Sequence, residues 1–197
     1  MSNTENIFNN AKSEIEKLWN NNSVLSNFVK FPKNLFLKNQ NKNKIPATDK
    51  LFKWNSNLDT NLLELHNSIS SLSPYVNWEQ GYKEDEVGKD FLNKYGFFEL
   101  IGPSGHFKTS KMALYVNYLC KNAYYPWHNH DAEELYFIVS GKAKFESKGQ
   151  NTKILSSTNT RLHKSFESHA ITTDEKPVLS FVIWKNKFED VSKLTKD

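Results

Sequence analysis

At Tyr95-Gly96 the spacing of apolar residues changes from a helical period to a strand period, and no other feature constrains the fold as much. Before it, Ile7, Phe8, Ala11, Ile15, Leu18 and Trp19 recur at helical spacing. Val24, Leu25, Phe28 and Val29 repeat the pattern from Ser23 to Phe31, and Pro32 closes that helix. A further helix is predicted from Asp59 to Leu72, with Leu62, Leu65, His66, Ile69 and Leu72 along its apolar stripe. A shorter one runs from Glu84 to Lys94 and ends at the Tyr-Gly pair. His66 reads as a partly buried helix histidine, and the polar stretch KNQNKNKIPATDK, Lys38 to Lys50, as a loop.

After Gly96 the segments FFELIG, KMALYVNYL, EELYFIVSG, KAKFES, TKIL and VLSFVIW read as short strands, separated by turn signals such as GPSG, SGK and KGQN. Gly141 is expected to sit in a hairpin turn between EELYFIVSG and KAKFES. Many short strands joined by tight turns build an antiparallel barrel or jelly roll, not a sheet with helical crossovers. The expected fold is therefore mainly β, a small barrel over residues 96–197 with a helical region, residues 1–95, packed against it.

Composition narrows the function classes. The net charge is +4, and Arg161 is the one arginine among 26 basic residues. The lysines are scattered, with no aromatic-interleaved basic stripe, so a nucleic-acid partner is not expected. No run approaches the ~18 apolar residues of a membrane span, and the N-terminal stretch lacks the basic and apolar regions of a signal peptide. A cytoplasmic protein is expected. The one cysteine, Cys120, permits no internal disulfide and reads as a small core residue.

The chemistry concentrates in YYPWHNHDAEELYFIVSG, Tyr124 to Gly141. Side chains alternate along a strand, so His128 and His130 share one face, as do Glu134 and Tyr136 one strand later. A tight turn at Asp131 and Ala132 folds the second pair back beside the first. Two imidazoles and a carboxylate then converge as N, N and O donors for a first-row metal ion. His106, in GPSGHFK, stands apart from this pattern and reads as a loop histidine. His163 and His169 compete as a further ligand.

The run HNHDAEELYFIVSG resembles the first metal motif of the cupin superfamily, small β-barrel proteins that often hold one metal ion with three His and one Glu. The resemblance implies His128, His130 and Glu134 as ligands. Asn122 stands where the family commonly has Gly, and Lys164, Phe166 and Thr173 stand where a Pro, a Gly and an Asn mark its second motif. His169 falls where cupins carry the fourth ligand, which leaves His163 as a surface residue. The donor set does not choose among Fe, Mn, Zn, Co and Ni.

Tyr136 shares the ligand face, and Tyr125, Trp127 and Trp184 supply aromatic surface nearby. Aromatic faces beside a metal suit a substrate with a carboxylate at one end and an onium cation at the other. This pattern is similar to that of the cupin dimethylsulfoniopropionate (DMSP) lyases of marine bacteria, which share the helical N-terminal region, the HxHxxxExY run, the HA segment and a following Trp. That resemblance implies β-elimination of DMSP to dimethyl sulfide and acrylate. In it Tyr136 is the general base, Tyr125 positions the substrate, and Trp127 and Trp184 line the sulfonium pocket. Cupins also commonly form homodimers. Rival readings are an iron dioxygenase on the same ligands, marked by oxygen consumption without acrylate, and a non-catalytic ligand-binding cupin.

Overall fold

The computed structural model describes residues 2–196. Its first part holds the helices α1 (Asn3–Asn21), α2 (Ser23–Phe28), α3 (Pro46–Lys53), α4 (Leu63–Leu72) and α5 (Glu84–Leu92), with a short strand β1 (Phe36–Leu37) between α2 and α3. The strands that follow are β2 (Tyr95–Gly102), β3 (Phe107–Lys108), β4 (Ala113–Leu119), β5 (Ala123–Asn129), β6 (Glu134–Ser147), β7 (Lys153–Ser156), β8 (Thr160–His163), β9 (His169–Thr173), β10 (Val178–Trp184) and β11 (Lys193–Leu194). This is the mainly β architecture with a helical N-terminal cover that the change of period predicts.

Helix α1 opens on a capping box, in which the Ser2 hydroxyl accepts from the Glu5 N–H and the Glu5 carboxylate accepts from the Ser2 N–H. It buries Phe8, Ala11, Ile15 and Trp19 along one stripe. Each large side chain so removed from water contributes roughly 1.5–3 kcal/mol. Helix α3 begins inside the stretch expected to be loop and runs past its end at Lys50. Pro46 starts it, and only Ala47, Thr48 and Leu51 are buried, too few to stand out against the surrounding lysines and asparagines.

The strands are hydrogen-bonded in the order β1-β3-β2-β4-β10-β6-β9-β5-β11, with β7 and β8 also paired to β6. Strand β6 belongs to both layers. Its first half pairs with β10 and β8, its second half with β7 and β9. Gly141 lies within this 14-residue strand and is not a hairpin turn. Its φ of 76° bends the strand, and a Cβ there would run into the carbonyl oxygen of Pro177.

Strand parity sorts the core in two. Leu114, Val116, Leu135, Phe137, Phe181 and Ile183 face the helices and share one cluster with Ile15, Trp19 and Ile69. Tyr95, Tyr125, Tyr136, Val182 and Trp184 face the interior of the barrel. His66, fully buried, fastens the layers together. Its Nε2–H donates to the Trp54 carbonyl at 2.8 Å, and its Nδ1 accepts from the Ser140 hydroxyl at 2.7 Å. Among the described residues no helix is long and apolar enough to cross a membrane.

Candidate active site

The segments that carry the expected ligands meet because β5, β6 and β9 are neighbours and a short turn, residues 130–133, joins β5 to β6. His130 Nε2 lies 3.2 Å from Glu134 Oε1, and His169 Nε2 lies 3.2 Å from Glu134 Oε2. These close approaches are not aligned as hydrogen bonds. His130 Nε2, His169 Nε2 and Glu134 Oε2 are buried without a hydrogen-bond partner. One donor atom from each of His130, Glu134 and His169 falls within a 4.8 Å group, the arrangement a metal ion would satisfy.

The backbone fixes the tautomers. The Nδ1–H of His130 donates to the Ala132 carbonyl at 2.9 Å, and that of His169 to the Glu167 carbonyl at 2.8 Å. His128 does the same with the Pro126 carbonyl at 2.8 Å. Each Nε2 is thereby left as the free lone pair, as in metal sites where the other ring nitrogen is held by a carbonyl. Trp184, opposite Glu134 in the β10–β6 register, donates its indole N–H to Glu134 Oε1 at 3.0 Å.

His128 stands beside the group and not in it. Its ring centroid is 4.1 Å from that of His169, and it stacks on Tyr125 at 3.9 Å with a 6° interplanar angle. A register shift in the β5–β9 pairing between Tyr125 and His128 brings both inward although they are three residues apart. The same irregularity removes Trp127 from the cavity. That half-buried residue is not in its lining, and its backbone carbonyl accepts from the Thr195 N–H.

His163 corrects the sequence reading. It is completely buried, stacked on His169 at 4.0 Å and 12°, with its Nε2 also lacking a partner. Strand β8 turns Arg161 and His163 inward and leaves Leu162 exposed, the reverse of the usual hydrophobic parity, so hydropathy places His163 on the wrong side. Phe166 has a φ of 58° at the position where cupins commonly have Gly, so the turn before His169 persists without its marker. Its N–H donates to the His130 carbonyl at 2.8 Å. His106 is also buried rather than a free loop residue, its Nε2 accepting from the Asn77 N–H at 3.3 Å.

Above the group opens a cavity of ≈650 Å³, counting its mouth, lined in part by Tyr82, Tyr95, Tyr115, Tyr125, Tyr136 and Trp184. Tyr82 and Tyr95 hydrogen-bond through their hydroxyls to that of Tyr125, at 3.1 and 3.3 Å. Tyr82, Tyr95, Tyr115 and Asn117 were not expected here. Alternation in ALYVNYL carries a signal for the last two, since Tyr115 and Asn117 face away from Leu114 and Val116.

Burial favours a neutral Glu134, but the imidazoles of His130 and His169 outweigh it and hold the carboxyl well below the usual range. Burial likewise opposes charge on His130, but the Glu134 carboxylate raises it above an ordinary histidine. Burial, then the neighbouring His169, pushes His128 well down. Burial, then the Glu134 charge, pushes the Tyr136 phenol well up.

A profile of the dimethylsulfoniopropionate lyase family matches residues 20–180 of this sequence. The chain belongs to that family. Its members are carbon–sulfur lyases. The chain is 28% identical over 195 residues to dimethylsulfoniopropionate lyase DddQ of Ruegeria pomeroyi, covering 99% of this chain and 97% of that protein. The crystal structure of that DddQ superposes with a TM-score of 0.91 over 96% of each chain at 29% identity. A chain from the crystal structures of the DMSP lyases RdDddP and RnDddQII superposes at 0.93, with 30% identity, over 98% of this chain and 100% of that one. A cupin-2 domain from Rhodospirillum rubrum shares the fold at a TM-score of 0.50 and 13% identity, over 63% of this chain and 78% of that one.

Proposed function

We propose that this lyase cleaves DMSP by β-elimination to dimethyl sulfide and acrylate in the tyrosine-lined cavity, with a transition-metal ion held by His130, Glu134 and His169 and with His128 as the adjoining imidazole. The observation that carries the reading is the set of three buried donor atoms, His130 Nε2, Glu134 Oε2 and His169 Nε2, left without partners beside a cavity whose lining reaches Glu134 and His128. When bound there, a divalent ion supplies Lewis acidity toward a substrate carboxylate and a positive charge that eases ionisation of a nearby phenol.

Tyr136 follows Glu134 by two residues on the same strand face and lines the same cavity. It takes the proton from the substrate Cα as general base. The Cα–H electron pair becomes the C=C bond of acrylate, the Cβ–S bond breaks, and its electrons leave on neutral dimethyl sulfide. The proton passes from Tyr136 to solvent. Tyr125, fixed by the Tyr82 and Tyr95 hydroxyls and by stacking on His128, orients the substrate. Trp184 lines the cavity and also holds the Glu134 carboxylate, so its ring and its N–H have separate tasks. The ring faces around them suit the sulfonium cation.

The test is direct. Metal-analysed protein incubated with DMSP should release dimethyl sulfide to the headspace and acrylate to solution in equal amounts, and chelation should stop both. Oxygen uptake without acrylate, or ligand binding without turnover, would replace this reading with one of its rivals.

A further inference from the structure

After β10 the chain returns across the cavity mouth as a strap. Lys193 and Leu194 pair antiparallel with Asn129 and His128 of β5, and the Thr195 N–H donates to the Trp127 carbonyl at 2.8 Å. These bonds place Asp190, Val191 and Ser192 in the cavity lining. The strap follows residues 20–180, the span of the family match, and the full-length alignment with DddQ, over 99% of this chain, extends across it.

The charge carried by the strap fits one substrate chemistry. No Lys or Arg is found among the described lining residues, and the carboxylates there are Glu134 and Asp190. Glu134 accepts from the Trp184 indole N–H and belongs to the proposed metal-holding group with His130 and His169. One Asp190 oxygen accepts the N–H of Asp131, in the turn between His130 and Glu134, and the residue is half-buried. A cation in this cavity therefore meets aromatic faces together with a carboxylate that has no cationic partner in the lining.

We propose that Asp190 is a specificity-determining residue that receives the cationic end of the substrate, so that the enzyme selects onium acids over neutral acids of the same shape. The assignment rests on the lyase reading above. Aromatic walls alone accept a neutral branched alkyl group nearly as well as a sulfonium, whereas a carboxylate at low dielectric distinguishes them by charge.

The experiment uses the full chain, metal-loaded, with Asp190→Asn, which keeps an acceptor for the Asp131 N–H and removes the charge. Kinetics with DMSP are combined with calorimetric binding of two analogues of the same shape, the cationic 3-(trimethylammonio)propionate, checked for release of trimethylamine, and the neutral-tailed 4-methylpentanoate. The expected result is a rise in KM of about tenfold that exceeds any fall in kcat, with a similar loss of affinity for the cationic analogue and little change for the neutral one. Equal weakening of both analogues, or a kcat loss that tracks lost metal, would show that Asp190 only positions the Asp131 turn and would overturn the assignment. Unchanged binding of both would overturn it as well. Analogue binding needs no turnover, so a wild-type protein that fails to cleave DMSP refutes the activity while Asp190 is still judged on its own.

Discussion

Trp184 and Glu134 face each other across β10 and β6, and the indole N–H of the first holds one carboxylate oxygen of the second at 3.0 Å. The bond leaves the other oxygen, Oε2, aimed at His169 without a hydrogen-bond partner. Trp184→Phe keeps most of the ring and deletes the donor. Metal affinity should fall about 10- to 100-fold, as it does when a partner that orients a ligand is lost. Chelator competition measures it, and wild-type affinity would show that the bond does not orient Glu134.

Tyr136→Phe removes one oxygen from a fully buried ring. Metal content should stay at the wild-type level while kcat for DMSP cleavage falls about 10²- to 10⁴-fold. Undiminished turnover would take the general-base role from Tyr136.

His163 lies flat against His169. If His169 holds metal as proposed, His163→Ala leaves a void behind it and should weaken metal binding about tenfold, whereas His163→Phe keeps a stacking surface and should retain most of it. Equal metal content in both variants and the wild type, at limiting metal, would reduce His163 to ordinary core packing.

Phe166 is 60% exposed and has a φ of 58°, a backbone region costly for any residue with a Cβ. Phe166→Gly should raise stability by about 0.5–1 kcal/mol, the strain removed exceeding the entropy that glycine adds to the unfolded chain. Urea denaturation measures the change, and a loss of stability would mean that the exposed ring contributes more than the strain costs.

Burial, then the charge of Lys108, pushes His106 down to about 4. The bond it accepts from Asn77 also needs the neutral ring. The unfolded chain, with a histidine pKa of about 6.5, takes up the extra proton first as pH falls. The His106 contribution is thus complete above about 6.5 and is lost as pH falls from there toward about 4. Metal-free His106→Gln should be less stable than wild type at about pH 7.5, and its urea midpoint should drop less steeply toward about pH 5. Parallel curves would show that His106 contributes nothing to the acid limb.

Strand parity made much of the site legible. His130, Glu134 and Tyr136 face inward because the turn between β5 and β6 is short and β6 is regular there. Irregular backbone hid the rest. The register shift brought Tyr125 in beside His128 and left Trp127 out, and no periodicity announces such a shift. Tyr82 and Asp190 reach the cavity from segments far from the motif in sequence, where a single tyrosine or aspartate looks like ordinary surface. The short helix α3 buries too little to impose a pattern, and β8 inverts the pattern it has.

All seven residues of β10 are buried. Leu179, Phe181 and Ile183 pack toward the helical cover, while Val182 and Trp184 line the cavity. One backbone thus serves two selective pressures at alternate positions. A volume change under the helices shifts the strand that forms this cavity wall, so drift in the apparently passive N-terminal cover is a route by which descendants of this sequence reshape the cavity.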